Sequence, residues 1–167
     1  MLQSNFPEAG HDHDSCKSFI LASAEKRCQE NGVRFTRQRR RVLEILAESH
    51  QAIGAYDILA RFQPDSNSRT APVTIYRALD FLMENNLAHR LSTLNAFVAC
   101  SGTHEGLDAQ FLVCKMCQSV AELSTPSLNR AIHKEAQSAD FTVTAPMVEI
   151  KGICGSCKKN GVDHDTK

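Results

Sequence analysis

The chain reads as an α+β protein, an N-terminal winged helix-turn-helix followed by a small α/β domain built around a metal. Three observations predict it. Helical segments precede a short hairpin, basic side chains concentrate in the front half, and two CxxC pairs punctuate the back half.

A length of 167 residues suits one ordinary domain or two small ones. With 42% apolar and 23% charged residues, the composition excludes wholesale disorder. Only 6% is aromatic and there is no tryptophan, so a sugar-stacking groove is not expected. No apolar run approaches the length of a membrane span. The N-terminus carries acid and histidine where a signal peptide carries positive and then apolar residues. A cytoplasmic protein with no membrane partner is expected.

The zero net charge hides an asymmetry. Residues 17–91 hold 12 basic and 8 acidic side chains, whereas residues 92–167 hold 7 and 8. Five arginines fall between Arg34 and Arg41. A basic front half points to a polyanion-binding module, although a solvated helix face has the same composition.

Residues 1–14 read as a flexible tail. From Ser15 the pattern is helical, with Phe19, Ala22 and Lys26 at helical spacing and Gly32 as a stop. Thr36 can cap a second helix carrying Val42, Leu43, Ile45 and Leu46. A third, short helix spans about 55–62, and Gln63–Arg69 is a polar loop. Pro72 suits the first turn of a fourth helix reaching about Asn85, with Ile75, Leu79 and Leu82 as its buried stripe. Thr74, Arg77 and Asp80 fall largely on another face. Leu87–Leu91 and Ala96–Cys100 form a hairpin around Thr93–Asn95, which completes the winged-helix order over residues 15–100.

After Cys100 the character changes. Phe111–Val113 and Ser119–Leu123 read as strands flanking the first CxxC. A helix starts at Ser124 or Thr125 and runs to about Ser138. Phe141, Val143, Val148 and Ile150 suggest an extended segment, or two strands broken at Pro146. Residues 101–157 form this second module, and 158–167 read as a flexible tail.

Cysteine carries the chemistry. Seven cysteines with no export signal argue against a disulfide framework. Cys114/Cys117 and Cys154/Cys157 are separated by 36 residues. Each pair can place two sulfurs on one tight turn, and two such turns give a closed tetrahedral cage that suits structural zinc. A thioredoxin-like reading would need one CxxC in a βαβ context, which is not the pattern here. His89, Cys100 and Glu122 supply an imidazole, a thiolate and a carboxylate, a set that suits zinc when brought together. On spacing alone they read equally as a surface histidine, a core cysteine and a solvated carboxylate. His11, Asp12, His13, Asp14 and Cys16 hold further donors. No zinc-deaminase, metalloprotease, phosphate-loop or nucleophile-elbow pattern is present, so neither catalysis nor a small-molecule substrate is expected.

The segments RFTRQRRRVLEIL (34–46), GAYDIL (54–59), PVTIYRALDFL (72–82), NAFVAC (95–100), FLVCKMC (111–117) and GICGSC (152–157) together resemble the ferric uptake regulator (Fur) family. Within it, they are most similar to the zinc uptake regulator branch. The resemblance implies a homodimeric, metal-dependent repressor whose winged helix binds AT-rich palindromic double-stranded DNA and whose C-terminal domain dimerises. It implies two zinc ions per subunit, one structural on the four paired cysteines and one regulatory on His89, Cys100, Glu122 and a fourth ligand. The family's fourth ligand is a histidine seven residues before the first CxxC cysteine, where this chain has Leu107. His104 preserves the donor type and is the first choice, with Asp108 as the alternative. The thiolate of Cys100 suits zinc better than the nitrogen and oxygen ligands of the family's iron and peroxide sensors, and a family sensor of iron, manganese or peroxide is the alternative. Tyr56 matches a DNA-contacting position of the family.

Arg77, off the apolar stripe of the fourth helix, is placed to read a guanine edge, with Thr74 beside it. An ion pair with Asp80 or Glu84 is its alternative role. Arg39 and Arg40 suit phosphate contacts. The reading of a different class is a zinc-ribbon interaction protein whose basic half binds protein or RNA.

Overall fold

The computed structural model describes residue 6 and residues 13–62, 70–101, 109–123, 125–144 and 146–160. The chain divides into two compact units, one covering Ala9–Thr103 and the other His104–Lys167 together with Met1–Glu8. The sequence-predicted loop at 63–69 and most of both predicted tails lie outside the described residues.

The first unit opens with α1 (His13–Glu30), followed by α2 (Arg37–Leu46), α3 (Ala55–Arg61) and α4 (Pro72–Glu84). Gly32 takes a φ of +65°, a conformation that glycine adopts without a Cβ penalty, and turns the chain out of α1. The Thr36 hydroxyl accepts the backbone N–H of Arg39 and caps α2 as its sequence suggests. Val42, Leu43, Ile45 and Leu46 are all buried. The α4 stripe of Ile75, Leu79 and Leu82 is buried with Ala78 and Phe81 beside it.

In α1 the buried residues are Leu21, Ala24 and Cys28, while Phe19 is 60% exposed. Four consecutive apolar residues, Phe19 to Ala22, cover most of the helix circumference, so their spacing alone could not identify the inward face.

The wing is an antiparallel hairpin of β1 (Ala88–Leu91) and β2 (Ala96–Ala99), with His89 opposite Val98. Ile53 adds a single bridge to Phe97, exchanging two backbone hydrogen bonds of 2.9 Å. The α4–β1 turn passes through Asn86 at φ +54°, whose carbonyl accepts a 2.6 Å hydrogen bond from the Arg27 guanidinium of α1.

The second unit contains β3 (Ala109–Cys114), β4 (Val120–Leu123), α5 (Pro126–Ser138), β5 (Met147–Gly152) and α6 (Gly155–Lys159). Its sheet order is β4-β3-β5, antiparallel between β3 and β4 and parallel between β3 and β5. Parallel neighbours need a long crossover, and the segment containing α5 supplies it. The predicted extended segment from Phe141 yields one strand, β5, which begins after Pro146; Phe141–Thr144 lie outside it. Fully buried Gln110 on β3 ties α5 to the sheet, its side-chain amide donating to Asn129 Oδ1 and to the Thr125 carbonyl at 3.4 Å.

The two faces of the helical unit make a direct contrast. Leu79→Ala should cost about 2–5 kcal/mol in urea unfolding, because the cavity it leaves lies in the buried core. Phe19→Ala should stay within roughly 0.5 kcal/mol of the parent. Comparable losses for both would contradict the assignment of the α1 faces.

Candidate metal centres

The second unit gathers four sulfurs at one end of its sheet. Cys114 ends β3, and the parallel register sets it beside Gly152, the last residue of β5. The backbone N–H of Lys115 donates to the Gly152 carbonyl at 2.9 Å, carrying the pairing into the first CxxC turn. That turn closes through Cys114 N–H to Ser119 C=O at 2.9 Å and Gln118 N–H to Cys114 C=O at 3.0 Å, with Gln118 at φ +60°. Two residues beyond Gly152, Cys154 caps the N-terminus of α6, which carries Cys157.

The four Sγ atoms lie within 4.8 Å of one another. Cys114 to Cys157 is 3.9 Å and Cys117 to Cys154 is 3.8 Å. A zinc ion with four thiolates at about 2.3 Å has tetrahedral edges of about 3.8 Å, so the cage already has zinc dimensions. Burial alone would push the Cys114 thiol up. Hydrogen bonds from the backbones of Cys154, Cys117 and Met116 and from the Cys117 side chain bring it down to about 6. Cys157 is pushed up to about 12, first by its side-chain hydrogen bond with Cys154, then by burial and the other two sulfurs. The cage is therefore prepared to ionise one sulfur readily, while further charges need a cation to offset them.

The wing carries a second donor pair. His89 on β1 and Cys100, just past β2, are both buried, and their ligand atoms lie within 4.8 Å of each other. The Cys100 backbone N–H donates to the Leu87 carbonyl at 3.0 Å, so both donors stand at the same end of the hairpin. In the other unit, Glu122 is half-buried on β4, opposite Phe111 of β3. His104, Leu107 and Asp108 lie outside the described residues.

The predicted DNA-facing residues divide into two groups. Tyr56 is 74% exposed at the start of α3, and Arg77 is exposed on α4 with half-buried Thr74 one turn before it. Among the described residues, Arg77 makes no ion pair with Asp80 or Glu84. Arg39 and Arg40 are engaged within their unit. The Arg39 guanidinium lies 3.5 Å over the Phe81 ring and donates to the Arg34 carbonyl. Arg40 pairs with Glu25 and, at 3.1 Å, with Glu44.

Sequence reasoning missed the Arg27 tie to Asn86 and the Gln110 tie to α5, because neither residue type carries a burial signal. It also left His50 as a surface residue, although its ring meets that of His13. His11 and Asp12 lie outside the described residues, and Cys16 is half-buried on α1.

The model of the ferric uptake regulator family matches residues 30–151. The chain belongs to the ferric uptake regulator family. Fur-family proteins are transcription regulators, and this one is not an enzyme. It is similar to the zinc uptake regulation protein of Escherichia coli strain K12, with 32% identity over 142 residues covering 83% of this chain and 81% of that protein. Among solved structures, a zinc uptake regulator complexed with zinc and DNA matches at a TM-score of 0.79 and 30% identity, covering 86% of this chain and 96% of that one. Holo XcZur matches at 0.75 and 34%, covering 86% and 99%. The expected α+β fold, with its winged helix and four-cysteine cluster, is what this Fur-family chain has.

Replacing Cys114 or Cys157 by serine should remove the cage-bound zinc, a loss on the order of 10 kcal/mol for this unit. Metal analysis and circular dichroism read it out, and a well-folded, zinc-free variant would refute a structural role. Protons compete with zinc for each thiolate, so chelators should extract the metal more readily at pH 6 than at pH 8. Equal extraction at both would exclude thiolate ligation.

Proposed function

We propose that this protein is a zinc-responsive, dimeric transcriptional repressor that binds AT-rich palindromic operators of zinc-uptake genes when loaded with zinc. The observation that carries the reading is the buried His89–Cys100 donor pair on the wing, in a chain that also holds a zinc-sized four-cysteine cage. Its likeness to a zinc uptake regulator complexed with zinc and DNA supports the same reading.

Two zinc ions per subunit are assigned. Cys114, Cys117, Cys154 and Cys157 hold the structural one. His89, Cys100 and Glu122 hold the regulatory one, with His104 as fourth ligand and Asp108 as the alternative. A thiolate with imidazole and carboxylate suits zinc better than manganese or iron. Zinc held by His89, Cys100 and Glu122 would favour the DNA-competent state, and a ligand that favours one state shifts the population toward it.

The dimer reading rests on apolar surface in the second unit. Phe141, Met147 and Ile150 are 67%, 47% and 42% exposed, β5 is an edge strand, and α5 buries none of its described residues. A second copy of the chain would cover this surface, and palindromic DNA matches a two-fold dimer.

In the winged helix, α4 buries one stripe and presents Arg77 away from it, where the guanidinium donates two hydrogen bonds to a guanine edge. Thr74 and Tyr56 flank it. Arg39 and Arg40 contact phosphate, Arg40 after exchanging its carboxylate partners. A mobility-shift assay on an AT-rich palindrome tests the reading: zinc should promote the complex and a chelator dissolve it. Zinc-independent binding, or preference for RNA, would favour the zinc-ribbon alternative.

Cys100→Ser should leave folding and the dimer intact and abolish zinc activation of DNA binding; unchanged activation would refute the assigned site. Arg77→Ala should cost roughly 1–3 kcal/mol per half-site on the operator and much less on random DNA. Equal losses on both would make it a phosphate contact.

A further inference from the structure

The sequence motif HDHDSC (11–16) takes no part in either zinc site described above, yet the helix that begins within it brings one of its histidines against another element. His13 is the first residue of α1, and His50 follows α2. Their ring centroids are 4.8 Å apart with the planes tilted by 58°. Both ring nitrogens of His13 are shielded from water, and both side chains are half-buried.

We infer that His13 and His50 form a further zinc-binding site, lying wholly within the DNA-binding unit. Imidazole nitrogen sits about 2.0–2.1 Å from zinc, and two rings sharing one tetrahedral ion have centroids about 5 Å apart. The observed separation meets that requirement, and the tilt departs from a parallel stack. The two residues are 37 positions apart in sequence and come from different elements, so the packing of α1 against α2 creates the pair. Ring contact alone would serve packing equally with a phenylalanine at either position. Two imidazoles at this spacing also share the donor type that zinc selects.

Two protein ligands bind more weakly than the four-sulfur cage. Such a site responds at higher zinc than the cage. When filled, it ties the start of α1 to the α2–α3 connection. This site is independent of the regulatory one, because it shares no ligand with it.

Zinc itself is the probe, with stoichiometry read by competition against a chromophoric chelator on the full-length protein. His13→Gln and His50→Gln keep side-chain volume and polarity. Each should lose the same single equivalent of weakly held zinc per subunit, and the double variant should lose no more than either alone. Cys100→Ser should retain that equivalent, so failure of the regulatory assignment would be seen separately. Unchanged stoichiometry in both glutamine variants, with unfolding midpoints like the parent, would overturn the inference. Additive losses in the double variant would also overturn it, because they would mean two unrelated histidine sites.

Discussion

The second unit depends on one constraint, the meeting of four sulfurs at the end of a three-stranded sheet. Among the described residues, its buried apolar side chains other than Cys114 and Cys154 are few: Ala109, Phe111, Val113, Val120 and Ala121. Its longer helix buries none of its described residues, and its last helix has five. A core that small stabilises little by itself. The cage compensates by joining positions far apart in sequence, and the parallel register of β3 and β5 brings them together. The crossover through α5 is the topological cost of that register, and Gln110 fastens the crossover to the central strand.

The first unit is built on the opposite principle. Its core draws on all four helices and the wing, and contains residues such as Val42, Leu43, Ile58, Leu79 and Leu82 that are wholly or almost wholly buried. Burying one stripe of α4 fixes where its other faces point, which makes Arg77 available. The same helix leads within three residues into β1, so the wing donors His89 and Cys100 follow directly from the element that carries Arg77. Arg27 closes this arrangement from α1 by holding the Asn86 carbonyl at the turn. The proposed recognition residue and the proposed metal donors thus share one connected framework.

Much of this was legible in the sequence because local chemistry and packing agree. Thr36 before an apolar-periodic segment, Pro72 at a helix start and the cysteine pairs all carry a mechanism at fixed spacing. The inward face of α1 was not legible, since its apolar run covers too many directions. The single strand after Pro146 was ambiguous because apolar residues on both sides fit an extended chain. Cys114–Cys117 and Cys154–Cys157 declared themselves by motif. By contrast, the joining of His13 and His50 needs the packing of α1 on α2, which no local pattern encodes. The intramolecular partners of Arg39 and Arg40 were hidden for the same reason, because Phe81 and Glu25 lie on other helices.

The central physical claim is that metal holds the second unit and an apolar core holds the first. Hydrogen exchange on protein stripped of all metal under reducing conditions tests it directly. Amides pairing β3 with β5, including Lys115 to Gly152, should lose their protection, while those of α2 and α4 keep theirs. Retained protection in β3 and β5, or its loss in both units together, would contradict the account.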